Sequence, residues 1–318
     1  MKKILYFAKK PSIHDLRVVE ALKARHQVIL IDNEEIGLKN KEPEFDILMA
    51  SPLSINLNKK LQNSSQVLAF LSMGYDLNEE LKVTSSKDTI ITNLNRCDLV
   101  VIDNPKFKNI LELDLKYKGE IYYLPYGCDI QKFRTIANPL TKIIGTNRAS
   151  LPHYRNELIL KAVARLQSSD YEKFVLVRHG EFFDELMNFN RHYLNQIKYD
   201  VIEGGRPDST ENFLRGIKFY ISASKSDGSS VSMLEAMSAG KICIVSDHPC
   251  NTYWIENGIN GFTFMNGSEI DLYQKLHKAL NMNEEEIVDM SSLAKQRVQN
   301  EANWNSNSSD FVRFLEQY

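Results

Sequence analysis

The sequence predicts an α/β protein made of two doubly wound parallel-sheet units, and three observations carry that expectation. Short apolar runs alternate with stretches of helical period. The runs are continuous, as suits parallel strands covered on both faces. The rhythm breaks at PYGCDIQKFRTIANPL (125–140) and then resumes, so a chain of 318 residues divides into two similarly built halves. That agrees with ~100–200 residues per domain.

KILYFA (3–8) opens the first series as a buried strand. HDLRVVEALKARH (14–26) sets Leu16, Val19 and Leu22 at helical spacing, and QVILID (27–32) follows as a strand. FDILMA (45–50), QVLAFL (66–71), DLVVID (98–103) and EIYYLP (120–125) continue the series. The second series is TKIIGT (141–146), KFVLVR (173–178), YDVIEG (199–204), KFYISA (218–223) and KICIVS (241–246). From about Ser268 the chain reads as helical throughout. Alternation of this kind implies right-handed crossovers in open sheets, whose ligands sit at the carboxyl ends of strands. The expected division is 1–134 and 135–303, with a last helix at 304–318 that packs back on the first domain.

Composition excludes several classes. The apolar share of 43% and charged share of 25% are those of an ordinary globular protein, not a disordered one. A formal charge of −2, from 39 Lys+Arg against 41 Asp+Glu, gives no global attraction for nucleic acid. Cys97, Cys128, Cys243 and Cys250 form no C-x-x-C pair and read as reduced thiols, which favours a cytoplasmic setting. The start, MKKILYFAKKPSIHDL, breaks at Lys9, Lys10 and Pro11 too early for a signal-peptide core. No apolar run reaches the ~20 residues that span a bilayer.

The segment with the most chemistry in it is SASKSDGSSVSMLEAMSAGKICIVSDHP (222–249). A strand ends in a polar loop, and a helix begins around Ser229–Ser230, with Gly228 before it and Gly240–Lys241 at its end. A helix N-terminus aimed at a strand-end cleft is a ready phosphate site. Asp227 and Glu235, with seven residues between them, would repel phosphate and better suit the hydroxyls of a ribose or sugar. On spacing alone the plainer account, a capped core helix with a surface Asp and Glu, is preferred.

The motif order changes that balance. DGSSVSMLEAMSAG (227–240), ICIVSD and ENGINGFTF (256–264) resemble the signature of retaining glycosyltransferases of the GT-B fold, family 4 (glycosyl transferases group 1), with Asp227 where Glu is usual. LPYGCDIQKF (124–133) resembles that family's linker, and KIIGTNRASLPHYRNELILKAVARL (142–166) the first strand and helix of its nucleotide-binding domain. The resemblance implies two Rossmann-like domains facing across a cleft, and a nucleotide-sugar donor held by the second.

By the same resemblance, Arg148 and Arg155 clamp the diphosphate, and Gly228, Ser229, Ser230 and Val231 bring the helix start to it. Glu235 holds ribose hydroxyls, Asp227 a sugar hydroxyl, and Gly205–Arg206 the donor base. Arg148 is displaced from the usual place by Thr146–Asn147, and Arg155 stands for a Lys while keeping bidentate capacity. Without the downstream motifs each reads as a surface arginine. His248 is a donor contact or an ordinary polar loop histidine, and Asp208 with Glu211 forms a capping box.

The first half matches weakly. AKKPSIHD (8–15) has no glycine where the family has a glycine-rich loop, and FLSMGYDLNEE (70–80) has no histidine; Asp76 is the nearest polar candidate for a catalytic group, or else a helix cap. His14 reads as a loop or cap residue. No His, Cys or carboxylate set has metal-ligand spacing, so neither metal nor other cofactor is expected. The expected function is a retaining, metal-independent transfer of a hexosyl or N-acetylhexosaminyl group, with UDP weakly preferred, in cell-surface polysaccharide or glycoconjugate synthesis. The acceptor is a hydroxyl of a glycan or lipid-linked molecule. Lys9, Lys10, Lys59 and Lys60 would favour a peripheral contact at the inner membrane face, although four lysines more often form a solvated face. A nucleotide-sugar epimerase or hydrolase and a non-catalytic binding protein of the same fold are the alternatives, and no oligomeric state is read.

Overall fold

The computed structural model describes residues 1–32, 45–57, 65–134, 136, 139–205 and 208–318. They divide into two compact units: Met1–Tyr126 with Trp304–Tyr318, and Gly127–Asn303.

The first unit holds a six-stranded parallel sheet in the order β2-β1-β3-β4-β5-β6 among the described residues. Its strands are β1 (Lys3–Phe7), β2 (Gln27–Ile31), β3 (Phe45–Ala50), β4 (Ser65–Leu71), β5 (Leu99–Ile102) and β6 (Glu120–Tyr123). Burial follows position in the sheet: β1, β3 and β5 bury almost every residue, whereas edge strands β2 and β6 stay largely open. Burial thus follows place in the sheet and not apolarity alone, since edge strand β2 (QVILI) is as apolar as the central strands. The first helix, Ile13–Lys23, starts at a capping box between Ser12 and Asp15. The last helix, Trp304–Phe314, lies against the same unit: Arg17 sits over the Trp304 ring at 4.4 Å, and Tyr122 of β6 meets Phe311 and Phe314.

Among the described residues the second unit also has six parallel strands, in the order β12-β11-β10-β7-β8-β9. These are β7 (Ile143–Thr146), β8 (Lys173–Arg178), β9 (Tyr199–Glu203), β10 (Phe219–Ser222), β11 (Ile242–Ser246) and β12 (Phe262–Phe264). Side chains alternate strictly between two cores. Phe174, Leu176, Phe219, Ile221, Ile242 and Ile244 face helices Asn156–Ala164 and Glu269–Leu280. Val175, Val177, Tyr220, Cys243 and Val245 face helices Ser209–Gly216 and Val231–Ser238. Each fully buried aliphatic or Phe side chain contributes about 1.5–3 kcal/mol, so the two faces together fix the strand register.

All the strands expected from sequence are present, and β12 is an addition: a three-residue strand inside ENGINGFTF, which reads from sequence as a glycine-rich turn. Two other differences have local causes. The chain enters the second unit at Gly127, not at 135, because Cys128, Ile130 and Phe133 are buried in that unit's core. The capping box expected from Asp208 and Glu211 does not form: Asp208 accepts from the Asn212 side chain at 2.8 Å, and Glu211 pairs with Lys132 at 2.8 Å. All four cysteines are buried thiols outside any disulfide. Among the described residues no helix is long and apolar enough to cross a membrane.

Both sheets reverse direction beside their first strand. In the second unit β8 and β9 run to one side of β7, and β10 to β12 run to the other. The carboxyl ends of β7 and β10 therefore flank a topological switch point, where ligands of open α/β sheets bind.

Candidate active site

The loops that follow β7, β10 and β11 meet at that switch point. After β10 the chain runs through Asp227 and Gly228 to the eight-residue helix Val231–Ser238. The helix ends as expected: Gly240, at φ +70°, donates to the Met237 carbonyl, and Lys241 donates to the Ala236 carbonyl. This pairing needs a left-handed residue, which explains the glycine. Its start departs from expectation. Ser230 occupies the N-cap position but makes no side-chain cap, because its hydroxyl is turned toward Arg148. Ser229 Oγ instead accepts from Trp254 Nε1 at 3.0 Å. The first backbone N–H groups are thus left without a side-chain cap at the positive end of the helix.

Arg148 is the hub of the site. Its Nη2 donates to Asp227 Oδ2 at 2.7 Å, and Nη1 donates to Ser230 Oγ at 2.9 Å and Ser232 Oγ at 2.7 Å. The guanidinium stacks on the Tyr154 ring, 3.9 Å from its centroid, and Tyr220 completes the network by donating to Ser232 Oγ. Burial works against the Arg148 charge, but Asp227, Tyr154 and Tyr220 reverse this and hold its pKa above the usual value. Asp227 Oδ1 also accepts from the Gly228 N–H at 3.1 Å. Arg148, expected at the diphosphate, holds Asp227 and the helix start.

Arg155 stands apart from this network. It adopts the left-handed conformation, φ +48° and ψ +46°, immediately before helix Asn156–Ala164. A non-glycine residue held there costs about 1–3 kcal/mol, and such strain concentrates at functional sites. Its Nε donates to the Ala223 carbonyl at 3.0 Å and its Nη2 to Asn266 Oδ1, which anchors the guanidinium at the end of β10. Burial lowers its pKa, with Glu157 opposing. Asn266 is held in turn by donating to the Lys225 carbonyl, and its N–H donates to Asp247 Oδ1.

His248 follows β11 and is only 4% exposed. Its Nε2 is buried with no hydrogen-bond partner among the described residues. Burial pushes its pKa down to about 4; Asp227 opposes that shift, and Arg148, His153 and Arg155 add to it. The imidazole is thus neutral at pH 7 and faces the same charged groups as the helix start.

The structure brings Arg148, Asp227, Ser230, Arg155 and His248 to the ends of β7, β10 and β11. Glu235 is half-buried on helix Val231–Ser238, Gly228 and Ser229 are buried, and Val231 is its first residue. Gly205 is exposed after edge strand β9, and Arg206 lies outside the described residues, as do Lys59 and Lys60. Asp76 belongs to the first unit and is wholly buried. Its carboxylate accepts from Ser72 Oγ and from the N–H groups of Leu53, Met73 and Leu77, a bracket that ties three segments together. Burial raises its pKa, and those hydrogen bonds oppose the rise. Each oxygen of the carboxylate, expected from sequence as a catalytic group or a helix cap, thus accepts two hydrogen bonds. His14 stacks on Tyr126, with ring centroids 4.9 Å apart.

Sequence reading missed Tyr154, Ser232, Tyr220 and Asn266. Only Ser232 had a signal, its place in the first turn of the helix. Among the described residues no three His, Cys, Asp or Glu side chains gather as a metal site.

A sequence model of the family described as "Glycosyl transferases group 1" matches residues 130–297. No curated protein sequence matches the chain. Among solved structures, the chain is similar to Anabaena Alr3699/HepE in complex with UDP and glucose, with a TM-score of 0.79 at 15% identity over 100% of both chains. It is also similar to sucrose-phosphate synthase from Thermosynechococcus elongatus, with a TM-score of 0.80 at 11% identity over 100% of this chain and 99% of that one. A glycosyltransferase from Rickettsia africae gives 0.74 at 13% identity over 99% and 98%. At these identities the likeness shows a shared fold.

Proposed function

The chain belongs to the family of glycosyl transferases group 1, and from that premise we propose that it is a retaining, metal-independent glycosyltransferase of family 4. It takes a hexosyl or N-acetylhexosaminyl group from a nucleotide-diphosphate donor and passes it to a hydroxyl of a glycan or lipid-linked acceptor. Polysaccharide or glycoconjugate synthesis in the cytoplasm is the setting we assign to it. The observation that carries the reading is the uncapped N-terminus of helix Val231–Ser238 at the switch point, with anchored Arg155 beside the same strand end.

In this reading the donor diphosphate lies against the helix N–H groups and Arg155, Glu235 takes ribose hydroxyls, and Asp227 takes a sugar hydroxyl. Arg148 acts as a positioning residue that aims Asp227. Gly205 flanks the donor base, and the first unit supplies the acceptor side. When the anomeric C–O bond breaks, its electron pair goes to the β-phosphate and positive charge develops on the sugar ring. Preorganised donors at that phosphate lower the barrier, and losing one typically costs about 3–4 kcal/mol. The acceptor oxygen attacks from the face the phosphate leaves, and its proton passes to the departing phosphate oxygen.

UDP is the first nucleotide to test, since the Anabaena neighbour was solved with UDP and glucose. A thermal-shift screen with UDP, GDP, dTDP and CMP decides the donor reading. A ligand at 100 times its Kd adds about 2.7 kcal/mol to stability, so one nucleotide raises Tm clearly above the others. No shift with any of them at millimolar concentration overturns the assignment, and sugar release without acceptor favours a hydrolase.

A further inference from the structure

We propose that His248 reads the transferred sugar: its Nε2 hydrogen-bonds a ring hydroxyl of the donor and sets which sugars the site accepts. The inference rests on the donor site proposed above and deepens it.

Three observations meet at this side chain. The first is an unfilled hydrogen-bonding position. His248 is 4% exposed, and its Nε2 has no partner among the described residues. A buried polar atom left in that state costs about 1–3 kcal/mol, so it calls for a ligand atom to complete it. The second is location. His248 follows β11, the neighbour of β10 in the sheet, and the groups that act on it electrostatically are Asp227, Arg148, His153 and Arg155. Of these, Arg148 and Asp227 hold the donor helix start, and Arg155 is anchored at the end of β10. The third is chemistry. A neutral imidazole carries one donor and one acceptor, the same pair a hydroxyl carries, whereas a phosphate offers acceptors only. Protonating His248 to meet a phosphate would add a cation beside Arg148 and Arg155, against a burial cost that already drives the imidazole neutral.

Asp227 cannot fill this role by itself. Its Oδ2 accepts from Arg148 and its Oδ1 from the Gly228 N–H, so part of its acceptor capacity is already in use. A carboxylate also only accepts, so a sugar hydroxyl that donates to Asp227 leaves its own lone pairs for another group. His248 is placed to serve as that second partner, or to bind the adjacent hydroxyl on the ring.

The test compares binding of UDP with binding of UDP-glucose, UDP-galactose and UDP-N-acetylglucosamine, by calorimetry, in the unaltered protein and in His248→Leu and His248→Asn. UDP affinity is expected to stay within twofold in all three proteins. The extra affinity contributed by the preferred sugar falls roughly five- to tenfold in His248→Leu and is partly restored in His248→Asn, which keeps a hydrogen-bonding side chain. Discrimination among the three sugars narrows in parallel. If UDP binds normally and the sugar increment is the same in His248→Leu as in the unaltered protein, the role of His248 is overturned while the donor site stands. If the increment and UDP affinity fall together in both variants, His248 is a packing residue and the inference fails. If the unaltered protein binds neither UDP nor any of the sugars, the donor reading falls and takes this inference with it.

Discussion

Arg148 and Asp227 form an asymmetric pair, and the asymmetry predicts which loss is worse. The Arg148 side chain is 9% exposed and Asp227 is 22% exposed, with 2.7 Å between Nη2 and Oδ2. Asp227→Asn leaves a buried guanidinium without its counter-charge, and breaking a buried pair from that side costs about 3–5 kcal/mol. Two serine hydroxyls and the Tyr154 ring remain to hold the cation. We therefore place the loss at the low end, about 3 kcal/mol. Arg148→Met removes the buried charge and leaves a carboxylate that water and the Gly228 N–H still reach, so it should cost about 1–2 kcal/mol. The double variant should be no worse than Asp227→Asn, a favourable coupling of at least about 1 kcal/mol. Urea unfolding reads these values. The chain has two tryptophans, and a Trp304→Phe background leaves Trp254, whose Nε1 donates to Ser229 Oγ beside the site. At ~1–3 kcal/mol per molar of urea, the Asp227→Asn midpoint drops by roughly 1–3 M. Equal costs for the two single variants, a larger cost for Arg148→Met, or strict additivity would refute the reasoning.

Two further outcomes follow from buried groups. Asp76→Ala orphans the Ser72 hydroxyl and three backbone N–H groups, so stability should fall by about 3 kcal/mol while kcat of the folded fraction stays unchanged. A kcat loss of 100-fold at unchanged urea midpoint would restore Asp76 as a catalytic group. Lys241 is wholly buried, and burial, with Lys295 and Arg215 adding, pushes its pKa down to about 7. The unfolded chain keeps its proton up to ~10.4, so between those values unfolding takes up a proton and stability rises with pH. Below about 7 the burial penalty is present in full, so Lys241→Met should stabilise the protein by a few kcal/mol near neutral pH, with the gain shrinking toward pH 10. Urea midpoints at pH 6.5 and 9.5 check this, and a destabilised or pH-independent variant contradicts it.

Much of the fold is legible because strand and helix periods are local. A six-residue run such as KFVLVR, apolar over its middle four residues, folds as β8 over its whole length, and Gly240 ends helix Val231–Ser238 through a turn that only a left-handed residue completes. β12 was hidden because three residues cannot display a period. The capping box at Asp208 failed for a related reason: the pattern is local, but Glu211 has a partner in Lys132, far away in sequence. Ser230 likewise holds the cap position, and its hydroxyl goes to Arg148.

Local patterns along the chain are enough to specify two parallel α/β units, with a helix start carrying Asp227 and Glu235 at a strand end. What those residues do to one another came from the tertiary structure alone. Arg148 and Asp227 are 79 residues apart, and they meet because β7 lies beside β10 while β8 and β9 go to the other side of the sheet. The same strand order puts His248, after β11, where Asp227 and Arg148 act on its charge, and its Nε2 has no partner among the described residues. Spacing along a chain encodes which face a side chain takes, but strand order at a switch point is settled by the packing of whole layers. That packing is what gives Arg148 its contacts to Asp227 and to the helix start.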